Sequence, residues 1–249
     1  MSDIIVDIKN LNFSYDNNQV LKNINLKIYK GDYIGIIGSN GSAKSTLLKL
    51  MLGLLKPDSG EIKIFNKSIN NFNSWHNIGY LSQQVRSFNS KFPATVEEVI
   101  GANLHSQMGF LKFLNKKHKK KIYEVLKIVD MEEYKDRLIG SLSGGQQQRV
   151  FIARLLISNP KIIFMDEPLV GVDIKSQGSF YRLMEKLNKE MGITLVMVTH
   201  DVGEISEKAN KVACLNDGQI YFYDAKNFAK SKYLREIIEN DMNKLGNYK

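Results

Sequence analysis

The sequence predicts an α/β fold: a mixed, mainly parallel sheet flanked by helices, with an antiparallel β portion at the N-terminus and a helical subdomain inserted. Three observations carry this. An apolar run, Tyr33-Ile34-Gly35-Ile36-Ile37, leads into a small-residue loop, Gly38-Ser39-Asn40-Gly41-Ser42-Ala43, then Lys44-Ser45-Thr46 and a helical pattern. The runs Lys161–Met165 and Ile193–Val198 are apolar rather than alternating, as strands buried on both faces are. Residues 86–159 lose strand patterns and gain helical ones.

The elements follow in order. Residues 4–15 alternate apolar and polar and read as an edge strand. Asp16-Asn17-Asn18 turns the chain, and Leu21–Ile28 alternates as the hairpin partner. Gly31-Asp32 turns into the buried strand before the loop. The helix from Lys44 runs to about Leu54, Pro57-Asp58-Ser59-Gly60 is a turn, and Glu61–Phe65 is a short strand. Ile78–Ser82 is a strand ending at Gln83-Gln84. Thr95 and Glu98 form a capping box for a helix to about His105. Further helices span Lys117–Val129 and the stretch after Ser143-Gly144-Gly145. A helix over Ile174–Glu190 separates the two continuous strands. A short helix, a strand at 211–215, an Asn216-Asp217-Gly218 turn, a strand at 219–223 and a helix at 226–245 complete the chain.

The composition sets limits. A chain of 249 residues, 43% hydrophobic and 24% charged, suits one large globular domain or two small ones. No apolar run reaches the roughly 18 residues of a membrane span, and Met1–Asp7 lacks the basic start of a secretory signal. The single cysteine, Cys214, allows no internal disulfide, fits a cytosolic setting and reads as a core strand residue. The net charge is +9. Lys116-Lys117-His118-Lys119-Lys120-Lys121 concentrates much of it, either as a solvated helix face or as a contact for anionic lipid head groups. The basic–aromatic interleaving of a nucleic-acid surface is missing, so no nucleic-acid partner is expected.

The loop explains its own residue types. Small residues let backbone N–H groups approach a polyphosphate, and the helix start at Lys44 adds a positive end. Lys44 reaches the β- and γ-phosphates, and the Ser45 hydroxyl ligates Mg²⁺. Ala43 stands where the usual pattern has Gly; at φ > 0 it costs about 1–2 kcal/mol. Ligands collect at the carboxyl ends of strands in such sheets. Asp166, ending a buried strand, holds Mg²⁺; Glu167 is placed to deprotonate the attacking water; His200 ends another buried strand and serves the γ-phosphate.

Leu142-Ser143-Gly144-Gly145-Gln146-Gln147-Gln148-Arg149 resembles the signature sequence of the ABC family, and the other motifs appear in that family's order. The chain as a whole is similar to the nucleotide-binding subunit of an ABC transporter. The resemblance implies a P-loop NTPase core of ABC ATPase type: one domain over 1–249, with a core from 1–85 and 160–249 and a helical subdomain at 86–159. It implies a Walker A loop at Gly38–Thr46, with Ser39, Asn40, Gly41 and Ser42 among its ATP contacts. Tyr15 is the adenine-stacking aromatic, Gln83 the Q-loop residue touching Mg²⁺, Asp166-Glu167 the Walker B pair, Asp173 the D-loop acid and His200 the switch histidine. It implies that two copies pair head to tail, with Ser143, Gly144, Gly145, Gln146 and Asp173 acting in trans on the partner's ATP. The partners implied are a second copy, integral membrane permease subunits docked on the helical subdomain and, indirectly, an extracytoplasmic metal-binding protein. The location implied is cytoplasmic, on the inner face of the membrane.

Two segments narrow the resemblance. Ser87–Val96 and Pro168-Leu169-Val170-Gly171-Val172-Asp173 are similar to those of zinc-uptake ATPases of Gram-positive bacteria, a group in which Ala43 also recurs. Leu169 departs from the usual Thr. The expectation is an ATPase energising zinc import, with manganese or an iron chelate as alternative cargo. A regulatory ABC ATPase outside transport and a module that holds ATP without turnover are the remaining alternatives. The metal is not expected to bind this chain: His76, His105 and His118 lie apart and read as non-ligands.

Overall fold

The computed structural model describes residues 3–83, 93–107 and 114–228. In chain order the elements are β1 (Ile4–Tyr15), β2 (Asn18–Tyr29), β3 (Tyr33–Ile37), α1 (Lys44–Met51), β4 (Ser59–Ile64), β5 (Lys67–Ser68), β6 (Ile78–Leu81), α2 (Val96–Gly101), α3 (Lys116–Ile128), α4 (Gly144–Leu156), β7 (Ile162–Asp166), α5 (Ile174–Lys189), β8 (Thr194–Val198), α6 (Val202–Lys208), β9 (Lys211–Asn216), β10 (Gln219–Asp224) and α7 (Ala225–Phe228). One sheet has the order β2-β1-β4-β5, the other β10-β9-β3-β8-β7-β6. Internal contacts divide the chain into two units, one formed by the chain up to Phe72 and again from Val196, the other by Asn73–Leu195.

In the first unit β1 pairs antiparallel with both β2 and β4. It is therefore an inner strand, not the edge strand its alternation suggested. Alternation reports one buried face, here Val6, Ile8, Leu11 and Phe13, and carries no information about the strand's hydrogen-bonded sides. β3 is buried at every position and pairs parallel with β9, which pairs antiparallel with β10. Helix α1 stops at Met51, short of Leu54, because Gly53 takes φ 66° and Leu54 N–H turns back to the Lys49 carbonyl at 2.9 Å. Cys214 is fully buried in β9, and burial pushes its thiol up to about 12.

In the second unit β6 and β7 pair parallel. The described part of 86–159 holds α2, α3 and α4 with short 3₁₀ turns. The Thr95–Glu98 capping box forms: Glu98 N–H donates to Thr95 Oγ1 at 3.3 Å, and Thr95 N–H donates to Glu98 Oε2 at 2.7 Å. The Thr95 backbone N–H, and then the Thr95 hydroxyl donating to the same Oε2 at 2.9 Å, hold the Glu98 carboxyl below the usual range. α2 ends at Gly101 and continues as a 3₁₀ turn over Ala102–Gln107, so the regular helix is shorter than expected. His118 is a buried partner in the N-terminal cap of α3. Gln84, most of Ser87–Val96 and the greater part of the 226–245 helix lie outside the described residues, as does the His105 side chain.

Candidate functional site

The first unit holds the phosphate-type loop between β3 and α1. Ser39, Asn40 and Gly41 form its exposed tip; Ser42, Ala43 and Ser45 are half-buried; Lys44 and Thr46 are buried. A Cβ on Gly38 would lie 2.2 Å from the Leu215 carbonyl oxygen, so only glycine lets the loop leave β3 so close to β9. Ser42 N–H closes the loop on the Ser39 carbonyl at 3.1 Å. Lys44 Nζ folds inward and donates to the carbonyls of Gly38 and Ser39, each at 2.9 Å. Ala43 is the residue before α1 and sits at φ 69°, ψ 23°, the left-handed region that favours glycine. The strain of about 1–2 kcal/mol is thus present in the fold.

Two other candidates belong to this unit. Tyr15 is 46% exposed at the end of β1. Its hydroxyl meets Thr46 Oγ1 at 3.3 Å, and its ring stands edge-on to Phe13 with centroids 4.9 Å apart. His200 is exposed after β8. Thr199, which sequence reasoning passed over, fixes that strand end: its N–H donates to the Ile36 carbonyl at 3.1 Å, and its Oγ1 accepts from Asp201 N–H at 3.0 Å. A buried Thr beside a capping Asp was its only signal.

The second unit holds the carboxylates and the signature stretch. Asp166 ends β7 and is 5% exposed. Glu167 follows at φ 44°, left-handed like Ala43. Burial, and then the charge of Asp166, raise the Tyr80 phenol above its ordinary value. Ser143 caps α4: Gln146 N–H donates to Ser143 Oγ at 3.3 Å, and Ser143 N–H donates to Gln146 Oε1 at 3.0 Å. Ser143 and Gly144 are exposed, and a Cβ on Gly144 would meet nothing within 4 Å. Asp173 is the exposed cap of α5; hydrogen bonds from Ser176 hold its carboxyl low. Leu169 is buried, its carbonyl accepting from Val172 N–H at 3.1 Å.

A small cavity brings Gln83 together with Gly144, Gln147, Gln148 and Pro168. Buried Gln148 donates from Nε2 to the Pro168 carbonyl at 2.7 Å, tying the signature helix to the segment after Glu167. Arg149 donates to the Val129 carbonyl at 2.6 Å, to Asp130 Oδ2 at 2.9 Å and to Ser179 Oγ. Gln148 and Arg149 hold α4 in place and were not singled out individually from sequence. Their signal was a run of polar residues on a helix face that otherwise buries Val150, Phe151 and Ile152.

The loop fits a nucleotide phosphate on its own evidence. Ser42 Oγ is buried without a hydrogen-bond partner, a state that costs about 1–3 kcal/mol unless an acceptor arrives. The Ser45 hydroxyl in the first unit and the Asp166 carboxylate in the second are each hard oxygen donors, the type that suits Mg²⁺. Among the described residues no three His, Cys, Asp or Glu side chains group as a metal site.

The family model for ABC transporters matches residues 21–170. The zinc uptake system ATP-binding protein ZurA of Listeria monocytogenes is 45% identical over 217 residues, covering 87% of this chain and 84% of its own. The high-affinity zinc uptake system ATP-binding protein ZnuC of Bacillus subtilis is 40% identical over 215 residues, 86% of this chain and 92% of its own. The manganese transport system ATP-binding protein MntB of Halalkalibacterium halodurans is 38% identical over 212 residues, 85% and 83%. A dimeric ATP-binding cassette solved in a post-hydrolysis state with ADP and Pi superposes with a TM-score of 0.74 at 32% identity, covering 89% of this chain and 99% of its own.

Proposed function

This chain belongs to the ABC transporter family, and from that premise we propose that it energises the import of zinc. It is an ABC-type ATPase, the ATP-binding subunit of an importer. The observation that supports zinc is the naming of two relatives, at 45% and 40% identity, for zinc uptake. Manganese is the second reading, favoured by the relative at 38%.

The site residues divide the work. The Gly38–Thr46 backbone and the Lys44 ammonium bind the β- and γ-phosphates. The Ser42 hydroxyl gains the acceptor it lacks. Tyr15 stacks on the adenine. Ser45, Asp166 and Gln83 would hold Mg²⁺, which when bound draws charge from the phosphates. Glu167 takes the proton of the attacking water, and His200 donates to the γ-phosphate. Ser143, Gly144, Gly145, Gln146 and Asp173 act on the ATP of a second copy, so two copies form two composite sites. Residues 86–159 form the subdomain that docks on a membrane permease, which receives metal from an extracytoplasmic binding protein. No described helix is long and apolar enough to cross a membrane. Docked on that permease, the chain would sit peripherally, on the inner face.

The test is metal uptake. Cells lacking the subunit receive the wild type or the Glu167→Gln form, and zinc and manganese accumulation are compared at limiting metal. Zinc entry restored by the wild type alone is the expected result. Manganese tracking instead would move the cargo assignment to the second reading.

A further inference from the structure

Helix α3 carries six lysines against one glutamate, so more than half of the chain's net charge of +9 lies on its thirteen residues. Five of the lysines occupy the first six positions, and no acidic residue shares the first turn. They sit at the positive end of the helix, where cations are disfavoured. The helix caps itself by other means: His118 N–H donates to Asn115 Oδ1 at 2.9 Å, and Asn115 N–H donates to His118 Nδ1 at 3.4 Å. Burial of His118, Ile122, Val125 and Leu126 fixes the opposite face, and Lys116, Lys117, Lys119 and Lys120 point outward. Glu97 meets Lys119 at 3.6 Å. Tyr123, 52% exposed, lies one turn from Lys119 and Lys120 on the same side.

A locally unfavourable arrangement that persists marks a function. We propose that the lysine face of α3 rests on the anionic head groups of the membrane leaflet, as a contact additional to the permease. The side chains favour a lipid surface over a structured acidic partner. All five cations near the start are lysines, point charges on flexible stems, with no arginine fork to match a fixed carboxylate. An exposed tyrosine beside lysines is the pairing found at membrane interfaces. The inference rests on the reading of the chain as a membrane-associated importer subunit.

The experiment is co-sedimentation of the full-length protein with vesicles of phosphatidylcholine alone or mixed with phosphatidylglycerol. The wild type is compared with a variant carrying Lys116→Gln, Lys117→Gln, Lys119→Gln and Lys120→Gln. An equal-charge control carries Lys9→Gln, Lys22→Gln, Lys27→Gln and Lys67→Gln. Each lysine at an anionic surface contributes about fivefold, so the α3 variant should lose about a hundredfold or more in partitioning to the mixed vesicles. The control should lose far less. Wild-type binding should vanish at about 1 M salt, where the Debye length is about 3 Å. Unchanged nucleotide binding shows that the variants are folded. Equal losses in both variants would reduce the effect to bulk charge and overturn the proposal. So would wild-type binding to neutral vesicles as strong as to the mixed ones, or binding that survives about 1 M salt. The vesicles contain neither permease nor metal, so failure here leaves the importer reading standing, and failure of metal uptake leaves this result untouched.

Discussion

Two helices in this chain begin at glycine- and serine-rich stretches, and they end their N-termini in opposite ways. α4 is closed on itself: Ser143 and Gln146 exchange both hydrogen bonds of a capping box. α1 has no side-chain cap; the residue before it is Ala43, held left-handed, and the Lys44 ammonium is folded onto the loop carbonyls. A capped helix start has used part of its anion-binding capacity, whereas an uncapped one next to an orphaned Ser42 hydroxyl retains it. The difference supports the proposal that the α1 end is the standing phosphate site. The α4 end engages an anion only when one arrives that competes with Gln146, which suits a nucleotide already held by another copy.

The largest effect is expected at Glu167, which acts on water rather than on binding. Glu167→Gln should lower phosphate release by about 10²–10⁴-fold while equilibrium ATP binding persists. Loss of binding with turnover would contradict the general-base assignment. Lys44→Ala removes the cation of the standing site, and ATP affinity should fall about 10–100-fold by titration calorimetry. Ser143→Ala should leave that affinity unchanged, since it touches only the self-capped end. It should still lower stability by about 1 kcal/mol in denaturant unfolding and reduce turnover. Ala43→Gly relieves the left-handed strain of about 1–2 kcal/mol but frees the unfolded chain, which offsets about 0.4–1 kcal/mol, so a net gain of under about 1.5 kcal/mol is expected. A loss of stability would show that the loop does not carry that strain.

The smallest effect concerns the second capping box. The Glu98 carboxyl is held below its unfolded value, first by the Thr95 backbone N–H. Its contribution to stability is therefore present above the unfolded pKa of about 4.3 and is lost as pH falls through the lower folded value. Glu98→Gln should be less stable than the wild type at neutral pH, and the gap should close in acid. A gap independent of pH would show that the charge contributes nothing.

The local structure of the candidate site was legible in sequence wherever it rests on residue type at fixed spacing. The loop before Lys44, the carboxylates ending β7 and the Thr95–Glu98 box all follow from side-chain chemistry within a few residues. Long-range pairing was not legible. The alternation of Ile4–Tyr15 could not say that β4 would cover its second side. Local geometry escaped where it depended on an unusual residue: His118 completes a capping box in place of Glu or Gln, and Gly53 ends α1 early. Gln148 escaped because its partner, the Pro168 carbonyl, is distant in sequence.

In the proposed mechanism the two helix ends serve two different ATP molecules. Mixing two inactive variants tests it most directly. Lys44→Ala disables the loop and leaves the signature intact; Ser143→Arg does the reverse. If sites are shared between copies, half of the pairs in an equimolar mixture are mixed and each regains one intact site. ATP hydrolysis should then rise from near zero toward about a quarter of the wild-type rate. A mixture as inactive as its components, with each variant still able to pair with the wild type, would contradict the claim.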